Sequence, residues 1–342
     1  MNVEIADNWE QALEEIGVEQ RDVYFSESYV KLYETETKKA KCVVCREGER
    51  LLLFPFLQEQ IDIYYDFETA YGYGGPITNT EDQQWIDSAI MQMETKLKEE
   101  HYICGFVRFH PLLANEQYWK NSPNMEIIPD RKTVYVDTSK EQDVIWEEQI
   151  SSKNRNMIRK AVKNGLTYKL EQDFDSIEEF IGLYEDTMKR LEAEDFYLFS
   201  KEYYSSFITA LKGKSFLATI RIGDELVCGA MFMYSERMGH YHLAGSNAEY
   251  RGLGANNLLL WETICRMHEM GIEKFHLGGG TDGTPDNSLL KFKTAFSDHS
   301  CQFYIGKLIL NQEAYNSICE RWEQEYPDKV PVFGNRLLKY RY

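Results

Sequence analysis

Lys153, Arg155, Arg159, Lys160 and Lys163 fall within SSKNRNMIRKAVKNG (151–165), a stretch with no acidic residue. At helical spacing Arg155, Arg159 and Lys163 share one face. Such a cluster repels itself unless an anion or an acidic surface neutralises it. Arg suits bidentate phosphate contacts and Lys a mobile point charge. The stretch therefore reads as a phosphate or carboxylate site, and the competing reading is a solvated or domain-bridging helix face. In SNAEYRGLGANNLLLWETI (246–264), Arg251, Gly252 and Gly254 precede a helix whose free N–H groups suit a phosphate, with Asn256 and Asn257 in its first turn. This is neither a dinucleotide GxGxxG nor a P-loop, which needs Gly-Lys-Ser/Thr. In HLGGGTDGTPDNSLLKFKTAF (276–296) three glycines lead into a polar loop and then Phe292-Lys293. Glycines permit close backbone approach, and Lys293 suits neutralising a phosphate or an oxyanion.

Two further segments offer contacts. YGYGGPI (71–77) is a Gly-aromatic loop in which Tyr73 would shape a groove, and RFHPLL (108–113) places Arg108 and His110 at a strand end. No Ser-His-Asp set, HExxH or glycosidase-like carboxylate pair emerges from the spacing. The seven cysteines are odd in number and scattered, and Cys42 and Cys45 form a CxxC with no second pair or nearby His. They read as structural thiols, and His240 and His242 as an ordinary strand face, so no metal is expected.

The elements that must position these residues alternate. KCVVC and LLLFPFLQ read as a hairpin, 82–100 as a helix and 102–110 as a strand. The order returns later: three strands from Ser215 to Gly245, a helix over 256–270, and a strand over 273–279. Between the two rounds lie a strand over 133–137 and helices over 146–164, 175–191 and 201–211. A short helix over 288–295, a strand QFYIGKLIL and a helix over 313–325 close the chain. Hairpin, helix, strand thus occurs twice, giving an α/β (α+β) fold with mixed, largely antiparallel sheets. The 342 residues suit two domains, expected at 1–130 and 131–342. Lys and Arg total 38 against 56 Asp and Glu, a net charge of -18, which argues against double-stranded DNA as a partner. With no leader pattern or spanning apolar run, a cytoplasmic location is expected.

The turn at 251–256 is close to the RxxGxG/A of acyl-CoA-binding N-acetyltransferases, Arg251, Gly254 and Asn256 occupying the pattern and Asn256 missing its final Gly/Ala. From YGYGGPI through RFHPLL and the basic helix to GGGTD and LKFK, the chain resembles the FemABX-like branch of the GNAT superfamily. The resemblance implies two tandem GNAT-like domains and an enzyme that transfers an acyl or aminoacyl group to an amine of a cell-wall or surface-polysaccharide precursor. Its alternatives are an aminoacyl-tRNA-dependent peptidoglycan-bridge aminoacyltransferase and a non-catalytic carbohydrate- or peptide-binding protein of the same fold. The donor would be acyl-CoA or charged tRNA, with no tightly bound cofactor, and membrane association at most peripheral, through a lipid-linked acceptor. Phe292-Lys293 matches the Phe-Lys of the family's active region, which makes Lys293 the first catalytic candidate and Phe292 a substrate contact. Arg155, Arg159 and Lys160 match its basic stretch and, with Tyr73 and Arg108, are candidate substrate-binding residues. Arg251, Gly252, Gly254, Asn256 and Asn257 would hold the donor, while Asp282 would orient it or receive a proton through water. Such transfer needs an amine held near a carbonyl and positive charge for the developing oxyanion.

Overall fold

The computed structural model describes residues 1–192, 197–284 and 286–342; Pro285, inside the third motif, lies outside them. It forms two compact units, Met1–Asp130 with Gln302–Tyr342, and Arg131–Cys301.

The first unit opens with β1 (Asn2–Ala6), β2 (Lys38–Glu47), β3 (Arg50–Ile61), β4 (Tyr64–Glu68) and the short β5 (Ile77–Thr78). β2 and β3 make the expected hairpin, Glu47 opposite Arg50, with Gly48 at φ +60 in the turn. Helix α1 (Gln83–Glu99) then crosses over to β6 (Tyr102–Arg108), which lies parallel to β4. The helix begins where Asp82 accepts a hydrogen bond from the Trp85 amide at 3.2 Å, and it ends near Lys96 and Lys98. These charges complement the helix dipole at both ends. Trp85, Ile86, Ala89, Ile90, Met93 and Leu97 recur at helical spacing and bury against Val43, Phe54, Phe56 and Phe67.

The second unit contains the later part of β7 (Met125–Asp137), α2 (Ser152–Lys163), β8 (Leu166–Glu171), α3 (Ile177–Arg190) and α4 (Lys201–Ala210). It continues with β9 (Ser215–Ile222), β10 (Glu225–Tyr234), β11 (Met238–Ser246), α5 (Ala255–Glu269), β12 (Lys274–Gly279) and α6 (Ser288–Thr294). Strand order is β7-β12-β11-β10-β9-β8, antiparallel throughout except for the parallel β11–β12 pair. Its core joins Ile158 and Ala161 of α2 to Leu259 and Ile264 of α5 and to Phe216, Phe232 and Phe275 of the strands.

The chain then supplies the first unit with β13 (Ser300–Ile309), antiparallel to β6 with Ile305 opposite Arg108, and α7 (Gln312–Glu325). The first unit's order is therefore β1-β2-β3-β4-β6-β13, with β5 against β3. This corrects the expected second domain of 131–342. Residues 302–342 belong to the first unit because β6 offers β13 an edge, and Ala314, Ile318, Leu337 and Leu338 pack on Ile103 and Cys104. The helix expected over 146–164 is also divided. A π-helical turn (Ile145–Gln149) precedes α2, whose N-cap Ser151 accepts from the Asn154 amide at 3.3 Å. β1 and β8 escaped the sequence reading, β8 (LTYKLE) being a short edge strand with Thr167 and Lys169 exposed.

Candidate active site

β11 and β12 pair over Met238–His240 and Lys274–His276. Beyond that point the pairing of β12 with β7 shifts register between His276 and Gly278, and Gly278 adopts φ +78. Lys293, from α6, enters here. Its Nζ donates to the Gly279 carbonyl at 2.7 Å and lies 5.8 Å from the centre of the Tyr241 ring on β11. A Cβ on Gly278 would stand 3.2 Å from that nitrogen, so glycine leaves the lysine its room. Lys293 is 7% exposed, and this burial disfavours the ammonium and draws its pKa down to about 7. At neutral pH it can therefore serve as ammonium or as amine.

The loop before α6 is held by its own side chains. Arg131 donates to the carbonyls of Gly280 (3.2 Å) and Thr281 (2.7 Å). Asn287 caps α6 by accepting from the amides of Leu289 and Leu290, and donates to Thr281 at 2.6 Å. Asp282 is exposed, and its Oδ1 accepts from the Thr284 hydroxyl and, at 2.8 Å, from the Thr284 amide. Those hydrogen bonds hold its carboxyl below the usual range. Its carboxylate is thus engaged in shaping the loop.

A cleft of about 150 Å³ opens at the start of α5, lined by Arg251, Gly252, Gly254, Asn256, Asn257 and Phe292 together with Met157, Val227 and Tyr250. All five expected donor-binding positions meet here. No side chain caps α5, so its first-turn amides face outward without intrahelical partners. Gly254 sits at φ +84, and a Cβ on it would come 2.4 Å from the Met157 carbonyl of α2. Lys160 fastens the same loop from α2, its Nζ 2.7 Å from the Gly252 carbonyl. Gly254→Ala is expected to cost about 2–4 kcal/mol, combining left-handed backbone strain with overpacking. Gly252→Ala, at the same φ but with nothing within 4 Å, should cost about 1 kcal/mol. Urea denaturation of the two variants checks the difference.

The remaining candidates are dispersed. Arg155 donates to the carbonyls of Trp146 (3.0 Å) and Glu147 (3.2 Å) and pairs with the Glu147 carboxylate, so it anchors the turn before α2. Arg159 is exposed, stands 5.3 Å from the Trp146 ring and donates to Asn156 at 3.3 Å. Tyr73 and Arg108 belong to the first unit. Tyr73 is half-buried, edge-on to Tyr24, His110 and Phe303. Arg108 faces Glu68 at 3.4 Å and donates to the Thr69 carbonyl at 2.9 Å. β11 bulges at His242, whose Nε2 lies 2.8 Å from the Tyr203 hydroxyl and whose ring stacks on Phe207. All seven cysteines are free thiols, and burial pushes Cys45 up to about 12.

Tyr241, Arg131, Asn154 and Asn287 complete the site and were not among the expected residues. Asn287, immediately before an apolar helix start, carried a legible cap signal. The other three are placed by long-range packing.

Residues 151–293 match the family model of the acetyltransferase (GNAT) domain. Among solved structures, the chain is similar to FemX (TM-score 0.73, 15% identity, covering 93% of this chain and 100% of that one). It is also similar to the C-terminal domain of a putative lysylphosphatidylglycerol synthetase from Agrobacterium fabrum (TM-score 0.58, 14% identity, 89% and 93% covered). A tandem GNAT protein from the clavulanic acid biosynthesis pathway follows (TM-score 0.53, 9% identity, 91% and 99% covered). No curated protein sequence matches the chain. The chain thus shares the fold of FemX, and its residues 151–293 match a GNAT domain. Among the described residues no helix is long and apolar enough to cross a membrane.

Proposed function

We propose that this chain is a FemX-like N-acyltransferase that moves an aminoacyl group from charged tRNA to an amine of a peptidoglycan precursor. The observation carrying this choice is the likeness to FemX over nearly the whole of both chains, which favours the aminoacyl reading over a general acyl-CoA enzyme. Both units present antiparallel strands, a crossover helix, a parallel strand and an antiparallel strand beyond it. That repetition supports two tandem GNAT-like units. In this reading the amides of α5, with Arg251 and Lys160, hold donor phosphate, and Phe292 packs against the donor. The Lys293 ammonium donates to the carbonyl oxygen as negative charge grows there. The amine nitrogen bonds to the carbonyl carbon and the ester bond to the tRNA ribose breaks; the amine gives up its proton to solvent, since Asp282 is engaged in its loop, and the departing ribose oxygen takes one from solvent. Arg159 offers the acceptor an exposed positive charge.

The test offers radiolabelled aminoacyl-tRNA and, separately, acyl-CoA to the protein with an amine-bearing wall precursor. Incorporation from the RNA donor is expected. Incorporation from acyl-CoA alone would replace the donor, and none from either would leave a binding protein of the same fold.

A further inference from the structure

Among the described residues Lys293 is the one buried lysine, and no carboxylate pairs with it. Its neighbour Lys291 is exposed and pairs with Asp286 at 2.8 Å. A buried lysine that stays a cation ordinarily has an anion to hold its proton. Lys293 has instead the Gly279 carbonyl at 2.7 Å and the Tyr241 ring. A carbonyl accepts an N–H from an amine as readily as from an ammonium, so this contact leaves the charge state open. In the amine state the bond to Gly279 uses an N–H and the lone pair is uncommitted. Burial makes that state accessible at neutral pH.

The place of this nitrogen matters more than its proton. Phe292, one residue before it on α6, lines the cleft at the start of α5, so one helix both touches that cleft and presents the lysine. A nitrogen within hydrogen-bond reach of an acyl oxygen stands roughly 3.5 Å from the carbonyl carbon, which is attack distance. An acceptor amine placed before the carbonyl reacts first. Without one, the nitrogen nearest the carbonyl is the protein's own.

We infer that Lys293 is a self-acylation site, at which a donor held without an acceptor passes its acyl group to the lysine amine. This rests on the acyltransferase reading above. The Nζ–C bond forms and the carbonyl's bond to the ribose oxygen of tRNA, or to the sulfur of CoA, breaks. The nitrogen releases a proton to solvent and the leaving oxygen or sulfur takes one up. The product is an amide that carries no charge on Nζ, so the oxyanion loses its ammonium and the enzyme is silenced while acceptor is scarce.

The full chain is incubated without acceptor, once with total tRNA charged with a radiolabelled amino-acid mixture and once with radiolabelled acetyl-CoA. Hydroxylamine then strips ester- and thioester-bound label, and mass spectrometry maps what remains. One donor should leave label on the peptide holding Lys293, stoichiometric with the chain, and transfer activity should fall in proportion. A wall precursor present from the start should lower the label roughly tenfold or more, since its amine competes for the same carbonyl. Lys293→Arg keeps the positive charge and should leave that peptide unlabelled. Label spread over exposed lysines such as Lys291 would overturn the inference. So would an unlabelled Lys293 in a wild type that transfers the same group to the precursor, and the acyltransferase reading would then stand without it. If neither donor labels the chain or supports transfer, that reading falls and the inference with it.

Discussion

Lys293→Met is expected to slow transfer by roughly 10²–10³-fold, the usual cost of losing one group that stabilises an oxyanion, with little change in donor affinity. The lysine reaches the place where β11 and β12 stop pairing, and among the described residues its single hydrogen bond is to the Gly279 carbonyl. The remaining ammonium protons are available to a reacting carbonyl. Burial lowers its pKa from 10.5 to about 7, which makes two signs predictable. The ammonium is present below about pH 7 and fades above it, so the lysine's contribution to rate falls on the alkaline side. The attacking amine must be neutral, so its contribution rises over the same range, and a bell-shaped profile results. Lys293→Met should lose the alkaline descent. Stability moves the other way. Between about 7 and 10.5 the unfolded chain binds the proton that the fold does not, so this lysine destabilises the fold at neutral pH and less so as pH rises. The methionine variant should therefore melt at or above the wild-type temperature near neutrality. A variant that melts lower and keeps the full bell-shaped profile would make Lys293 a packing residue.

The repeated order of strands and helices was legible because it is local. The alternating hairpin, the helical spacing of 82–100 and the glycine stops are written within a few residues of where they act. The glycine turn at 251–257 was legible for the same reason, and its five candidates do line one cleft. What the sequence concealed is long-range. Lys291 and Lys293 differ little in LKFK, yet one is exposed and paired with Asp286 while the other is buried beside Gly279. Nothing local in RFHPLL reveals that Arg108 is occupied by Glu68, forty positions away. The basic stretch looked uniform, but Arg155 turns back to Glu147 and Lys160 reaches Gly252 across 92 positions. QFYIGKLIL read correctly as a strand, but its pattern fits any open sheet edge, and only the register with β6 assigns it to the first unit.

The same long-range assignment yields the largest expected loss of stability, from Arg341→Ala. Arg341 lies near the end of the 302–342 segment and gathers three carboxylates of the first unit. It pairs with Asp66 on β4, reaches Glu68 at 2.8 Å and Glu59 at 3.2 Å, and is accompanied by Tyr340, which donates to Asp66 at 2.8 Å. The Asp66 side chain is 1% exposed. Removing the guanidinium strands that carboxylate in a poorly hydrated site, and breaking a buried pair from one side costs about 3–5 kcal/mol. The pH dependence identifies the cause. In the wild type, burial would raise the pKa of Glu68, but the charges of Arg108, Lys38 and Arg341 outweigh it and bring it from 4.5 to about 2. A depressed carboxylate stabilises the fold above about 4.5, and this contribution is lost as pH falls toward 2. Asp66 already lies above the usual carboxylate range in the wild type, because burial outweighs Arg341 and Tyr340; in Arg341→Ala it should be driven further toward its neutral form, so its penalty is present at pH 7 and relieved on acidification. The gap in unfolding free energy between wild type and variant should therefore narrow from pH 7 to pH 4. Asp66→Asn added to Arg341→Ala should recover part of the loss at pH 7, because it removes the stranded charge. A gap that is equal at both pH values, and unmoved by Asp66→Asn, would mean that Arg341 acts through packing of its stem rather than through its charge.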